Sequence, residues 1–96
     1  MKNNMGSYIF FAPEMFQVKT TGVKVQGEKT DIWALGVTLF VMLTGHYPSG
    51  HSTDLIDLKN KVLFADIDFN MIKNEDARDL LKIILEKNPE KRASLN

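Results

Sequence analysis

Thr30-Asp31-Ile32-Trp33-Ala34-Leu35-Gly36-Val37-Thr38-Leu39-Phe40-Val41-Met42-Leu43-Thr44-Gly45 is the stretch on which the fold turns. Thr30 or Asp31 is placed to cap a helix, Gly45 to stop it, and Pro48 lies just beyond. Between those signals, Ile32, Trp33, Leu35, Val37, Leu39, Phe40, Val41, Met42 and Leu43 fall on every side of a helical wheel. A helix apolar all round is a buried helix, so it needs a shell of partners. The rest of the chain must therefore supply that shell, and it holds few elements with which to do so.

Toward the C-terminus, residues 46–53 read as a loop, with Pro48, Gly50 and Ser52. Residues 54–64 read as an amphipathic helix that turns Leu55, Ile56, Leu58 and Val62 inward. Residues 65–72 alternate in a way that fits either an extended or an irregular segment. Asn74 then caps a clear helix in which Ala77, Leu80, Leu81, Ile84 and Leu85 repeat at helical spacing. Glu75, Asp76 and Asp79 stand near its positive end, and Asn88-Pro89 ends it. The tail after it carries a single arginine, Arg92. Toward the N-terminus, residues 19–29 are polar and read as a surface loop. Pro13 opens a short helix carrying Glu14, Met15 and Phe16, and biases Ala12 toward an extended backbone. Ahead of it lies the aromatic and β-branched cluster Tyr8-Ile9-Phe10-Phe11.

Composition narrows the function classes. Of the 96 residues 44% are hydrophobic and 25% charged, which is too apolar for a disordered chain. Twelve basic residues balance twelve acidic ones, so neither nucleic acid nor an anionic membrane is an expected partner. With no cysteine there is no disulfide, no thiolate nucleophile and no zinc–thiolate site. The longest apolar run, residues 32–43, is about twelve residues long, where a spanning helix needs ~20. Together with the lack of a signal-like start, this predicts a soluble, cytoplasmic protein. His46 and His51, five apart in one loop, read as solvent-exposed rather than as metal ligands.

Four features, in order, resemble the large lobe of a eukaryotic protein kinase. Gly6-Ser7-Tyr8-Ile9-Phe10-Phe11-Ala12-Pro13-Glu14 is similar to the segment that closes the activation segment with Ala-Pro-Glu. Asp31-Ile32-Trp33-Ala34-Leu35-Gly36-Val37 is similar to the Asp-x-Trp-x-x-Gly start of the central lobe helix. Met42-Leu43-Thr44-Gly45, with Pro48 after it, is the third. The fourth is Ala77-Arg78-Asp79-Leu80-Leu81 followed by Asn88-Pro89-Glu90-Lys91-Arg92. The implied fold is mainly α: residues 1–96 as part of a kinase-like large (C-terminal) lobe, its helices set around one central buried helix.

The resemblance implies roles for individual residues. Glu14 and Arg92 would form a structural ion pair, for which the planar guanidinium fork of arginine is suited; otherwise both are surface charges. Asp31 would anchor the catalytic loop through backbone hydrogen bonds, alongside a simpler role as a cap or first-turn acid. Ser7, Tyr8 and Phe10 would lie on the substrate-side loop, with the Ser7 hydroxyl the mark of a serine/threonine kinase; the alternative is an ordinary loop serine in an apolar cluster. The general look of residues 36–45 is similar to the calcium/calmodulin-dependent group. Departures also matter: Val41 stands where kinases preferring basic substrates often have glutamate, and Ser49-Gly50 where a phenylalanine often follows the proline.

Kinase chemistry needs a Gly-rich loop, a lysine–glutamate pair, a catalytic aspartate and metal-binding side chains around ATP and magnesium. No Gly-x-Gly-x-x-Gly, His-Arg-Asp or Asp-Phe-Gly occurs in these 96 residues. The expectation is a chain with no catalytic, cofactor-binding or metal-binding residue of its own and inactive by itself. It would belong to a parent that uses ATP and magnesium to phosphorylate serine or threonine. A non-catalytic module that binds a protein substrate or docking partner, and a truncated relic, are the alternatives. Expressed alone, it is expected to expose an apolar patch and aggregate.

Overall fold

A computed structural model describes residues 8–21 and 27–94. Among the described residues four α-helices follow one another: α1 (Pro13–Thr21), α2 (Gly27–Thr44), α3 (Leu55–Phe64) and α4 (Glu75–Ile84). A 3-10 turn, Phe69–Met71, sits between α3 and α4. No strand occurs among the described residues, so the expected mainly α class holds.

Local chemistry explains most of the boundaries. Asp54 caps α3, its carboxylate accepting from the Asp57 N–H at 2.8 Å. Asn74 caps α4 in the same way, accepting from Ala77 at 2.9 Å. Such caps contribute about 1 kcal/mol each by satisfying N–H groups that the helix leaves open. Gly45 ends α2 at φ +77°, its N–H donating to the Val41 carbonyl at 2.8 Å. That left-handed conformation is one a side chain resists, which is why glycine stands there. The segment at 65–72 resolves as irregular: Asp68 caps the 3-10 turn by accepting from the Asn70 N–H at 3.0 Å.

The core is a single cluster of Ala12, Ile32, Trp33, Val37, Phe40, Leu58, Val62, Ile72, Leu81, Ile84 and Leu85. Helix α4 packs directly on α2, α1 touches α3, and the 3-10 turn supports α4. The α2–α4 approach depends on Gly36, where an added Cβ would lie 2.4 Å from Ile84 Cγ2 and 2.8 Å from Leu85 Cδ2. The Phe40 ring of α2 also meets Phe69 of the 3-10 turn edge to face at 6.4 Å.

Several expectations need correction. Helix α2 is buried on one side only. Ile32, Trp33, Gly36, Val37 and Phe40 are covered, whereas Leu35 and Leu43 are half exposed and Met42 is 76% exposed. The molecule measures 37 × 33 × 19 Å, and a helix with its side chains is ~10–12 Å across. A slab no more than two helices thick cannot wrap a helix on every side. Nor do Thr30 and Asp31 cap α2, because the helix already begins at Gly27 and the Thr30 hydroxyl bonds elsewhere. Helix α1 runs on through Thr21, into the stretch read as loop. On α3, Leu58 and Val62 face the core, but Leu55 and Ile56 do not. Helix α4 stops at Ile84, ahead of Asn88-Pro89; past it, the carbonyls of Glu86 and Lys87 turn toward Arg92 instead of continuing the helical ladder.

Candidate functional site

Glu14 and three backbone carbonyls converge on Arg92. Its side chain is buried, and each of its five N–H donors finds an acceptor. Nε donates to the Glu86 carbonyl at 2.7 Å. Nη1 donates to Glu14 Oε2 at 2.8 Å and to the Lys29 carbonyl at 2.9 Å. Nη2 donates to Glu14 Oε1 at 2.9 Å and to the Lys87 carbonyl at 3.2 Å. The guanidinium also lies over the Trp33 ring, 5.1 Å from its centroid, where the ring quadrupole favours a cation.

Glu14 meets this fork with both oxygens, the two-bond geometry that suits arginine and that lysine cannot reproduce. Its side chain is equally buried, and the Thr30 hydroxyl donates to Oε2 at 3.0 Å. Burial pushes the Glu14 carboxyl up. The Arg92 hydrogen bonds, its own backbone N–H, the Arg92 charge and Thr30 outweigh that, and its pKa settles below the ordinary 4.5. A charge pair of this kind is costly to bury but costlier to split, since removing one partner strands the other at ~3–5 kcal/mol.

Three segments far apart in sequence therefore meet at one cation: the start of α1, the first turn of α2 and the stretch after α4 that runs on to Arg92 itself. Lys29 completes the closure by donating Nζ to the Arg92 carbonyl at 2.6 Å, so each residue's side chain holds the other's backbone. The sequence carried no sign of Lys29 or Thr30 in this role. The only trace was their position just before Asp31. The Glu86 and Lys87 carbonyls have no sequence signal at all, because any residue would present the same group.

The remaining expected residues are placed as follows. Tyr8 is half-buried and meets Phe11 edge to face at 4.8 Å, and Phe11 in turn meets Phe16 at 5.6 Å. Phe10 is exposed. Ser7 lies outside the described residues. Asp31 is exposed on the first turns of α2 and lines a wide surface depression with Gly27, Glu28, Ile32 and Leu35. It is one helical face away from the Glu14–Arg92 junction and takes no part in it. His46 and His51 are both exposed.

A second feature adjoins the 8–11 segment. Two cavities share Ile9 and Ser49 as walls. The larger one, about 200 Å³, is bounded by Ile9, Tyr47 and residues 49–52. The smaller one, about 10 Å³, is lined by Trp33, Val37, Pro48, Val62, Lys61 and Lys87 among others.

Comparison with known proteins places these features. The protein kinase domain family model matches residues 1–96. The chain is 37% identical over 95 residues to the serine/threonine-protein kinase ppk34 of Schizosaccharomyces pombe, covering 99% of this chain and 26% of that protein. It is 38% identical over 90 residues to CBL-interacting protein kinase 1 of Oryza sativa, covering 94% and 18%. With serine/threonine-protein kinase SRK2C of Arabidopsis thaliana it shares 34% identity over 100 residues, covering 98% and 28%. The chain thus spans about a quarter or less of the length of each of the first two.

Proposed function

Because the chain belongs to the protein kinase domain family, we propose that it forms the substrate-facing base of the large lobe in a serine/threonine kinase. In the parent, the γ-phosphoryl of ATP passes to a serine or threonine hydroxyl. The share carried by these residues is to hold the 8–13 segment, along which the protein substrate lies, and to anchor it to the end of the lobe. The observation that best supports this reading is the Glu14–Arg92 junction. A buried bidentate pair spanning residues 14 and 92, with every guanidinium donor satisfied, fixes the end of the substrate segment against α2.

ATP and magnesium are not assigned to residues of this chain. Among the described residues no three His, Asp or Glu side chains gather into a group able to hold a metal. Asp31 and Glu28 line an open depression, whereas a phosphate site needs an enclosing cradle of backbone N–H groups. In this reading the chain alone is inactive, because no Gly-x-Gly-x-x-Gly, His-Arg-Asp or Asp-Phe-Gly occurs among its residues. The exposed side of α2, with Leu35, Met42 and Leu43, is where the rest of the lobe, including the catalytic loop held by Asp31, rests. A docking partner has its own candidate surface on α3, where Ile56 and Phe64 are each about three-quarters exposed.

The test is a segment exchange. Replacing the matching 95 residues of the fission-yeast relative with this chain should leave a kinase that phosphorylates serine or threonine in an ATP-dependent way. In that chimera Arg92→Ala should abolish activity and lower the melting temperature together. A chimera that folds with a sharp melt yet transfers no phosphate would sink the proposal, as would phosphoryl transfer by the 96-residue chain alone.

A further inference from the structure

Two neighbouring residues at the start of α2 each hold a different member of the Glu14–Arg92 pair. The Thr30 hydroxyl donates to Glu14 Oε2 at 3.0 Å. Lys29 grips the other member twice. Its carbonyl accepts from Arg92 Nη1 at 2.9 Å, and its Nζ donates to the Arg92 carbonyl at 2.6 Å. The pair itself needs neither side chain, since it already closes through both carboxylate oxygens. What the two add is a location. An ion pair fixes two groups relative to each other, whereas bonds from a third element fix both relative to that element.

The packing leaves that task to polar bonds. Helix α1 packs chiefly on α3, and α4 is the helix that packs on α2. Ahead of α1, Ala12 is buried and Tyr8 and Ile9 press on the core. Such apolar contacts are non-directional, so they hold the segment down without fixing how far along α2 it lies. On the other side, the tail is tied to α4 by the Ala93 N–H, which donates to the Ile83 carbonyl at 2.9 Å. Lys29 and Thr30 thus join the end of the 8–13 segment and the end of the lobe to one turn of α2.

We propose that Lys29 and Thr30 are positioning residues for phosphoryl transfer, setting the register of the 8–13 segment on α2 and with it the placement of the protein substrate. The proposal rests on the kinase reading, which lays the substrate along that segment. Neither residue touches the substrate; both act through Glu14 and Arg92. Loss of either grip lets the segment shift while the ion pair stays closed. Misplacement of a bound reactant by about an ångström is enough to slow a reaction markedly. The effect falls on the peptide and not on the nucleotide, because the shifted segment is the one that carries the peptide.

The experiment measures KM and kcat in the full protein that carries this chain, with ATP and with a serine-containing peptide chosen from an array. Thr30→Val and Lys29→Met keep the size of each side chain and remove only its donor. Each should raise the KM for the peptide about threefold to tenfold and leave the KM for ATP unchanged. Thr30→Ser and Lys29→Arg, which restore a donor, should bring the peptide KM back toward the parent value. Ile72→Val, a change in the core outside this junction, should lower the melting temperature and leave both KM values alone. If Thr30→Val or Lys29→Met does not melt cooperatively, Thr30→Ala or Lys29→Leu is held to the same criteria. A lowered melting temperature with an unchanged peptide KM overturns the positioning role and keeps the kinase reading. So does an equal rise in both KM values. A parent protein that folds and transfers no phosphate to any peptide of the array overturns the kinase reading, and the positioning role falls with it.

Discussion

Two ion pairs in this molecule have the same chemistry and opposite surroundings. Arg92–Glu14 is closed off from water at 2.8 Å, with side chains 0% and 1% exposed. Lys61–Asp57, at 3.1 Å on the outer face of α3, has side chains 35% and 33% exposed. The buried pair joins the start of α1, the first turn of α2 and the stretch after α4, and it uses every donor of its cation. The exposed pair joins residues one turn apart on one helix, and solvent screens it. Distance alone would rank them as near equals. What separates them is desolvation, which makes a broken buried pair leave a charge that water cannot reach.

The sharpest way to break the comparison is to truncate one side of each pair. In the kinase domain containing this chain, Arg92→Ala should cost ~3–5 kcal/mol in chemical unfolding, because Glu14 and three backbone carbonyls lose their partner at once. Arg92→Lys should recover little of that, since an ammonium cannot span both carboxylate oxygens.

The seam between α2 and α4 can also be attacked without touching a charge. Gly36→Ala puts a methyl group 2.4 Å from Ile84 Cγ2 and should cost ~1–3 kcal/mol by forcing α4 away from α2. A variant as stable as the parent in urea unfolding would mean that the seam is looser than its geometry. In the periphery, by contrast, Ile56→Ser should leave the unfolding midpoint near that of the parent, since the side chain is already largely in water.

Acid titrates the same contrast. The folded pKa of Glu14 lies below its ordinary 4.5, so its contribution is fully present above that value and is lost as pH falls through the folded pKa. Stability measured from neutral pH downward should therefore fall in the window below 4.5, and Glu14→Gln should flatten that part of the curve. The Asp57 carboxyl is also held below its ordinary 3.8, first by the Thr53 N–H and then by Lys61. Being partly exposed and screened by solvent, it should register least of all: Asp57→Asn is expected to leave the melting temperature within error of the parent.

How much of this was legible in advance differs by region for a physical reason. Asn74, Gly45 and the apolar rows of α4 act within one or two turns of the chain, so their residue types announce them. The Glu14–Arg92 pairing was readable only through resemblance to a family, because nothing in local spacing links residues 14 and 92. Lys29, Thr30 and the two carbonyls after α4 escaped even that, since their roles depend on where the backbone ends up. The larger cavity beside Ile9 was foreshadowed only by the short side chains at 49 and 50. Leu55 and Ile56 were misread because an amphipathic pattern shows that one face is apolar, not whether another element is there to cover it.

By itself, then, the amino-acid sequence determined the helical class, the Asn74 cap of α4, the Gly45 stop of α2, the apolar character of α2 and the kinase family. Each of these rests on interactions a few residues long or on motifs in order along the chain. Tertiary structure alone decided which face of α2 is covered, which carbonyls Arg92 collects and where a cavity opens. Those outcomes depend on long-range packing, in which the cost of leaving a charge or a donor unmatched selects one arrangement among many that the local chemistry would allow.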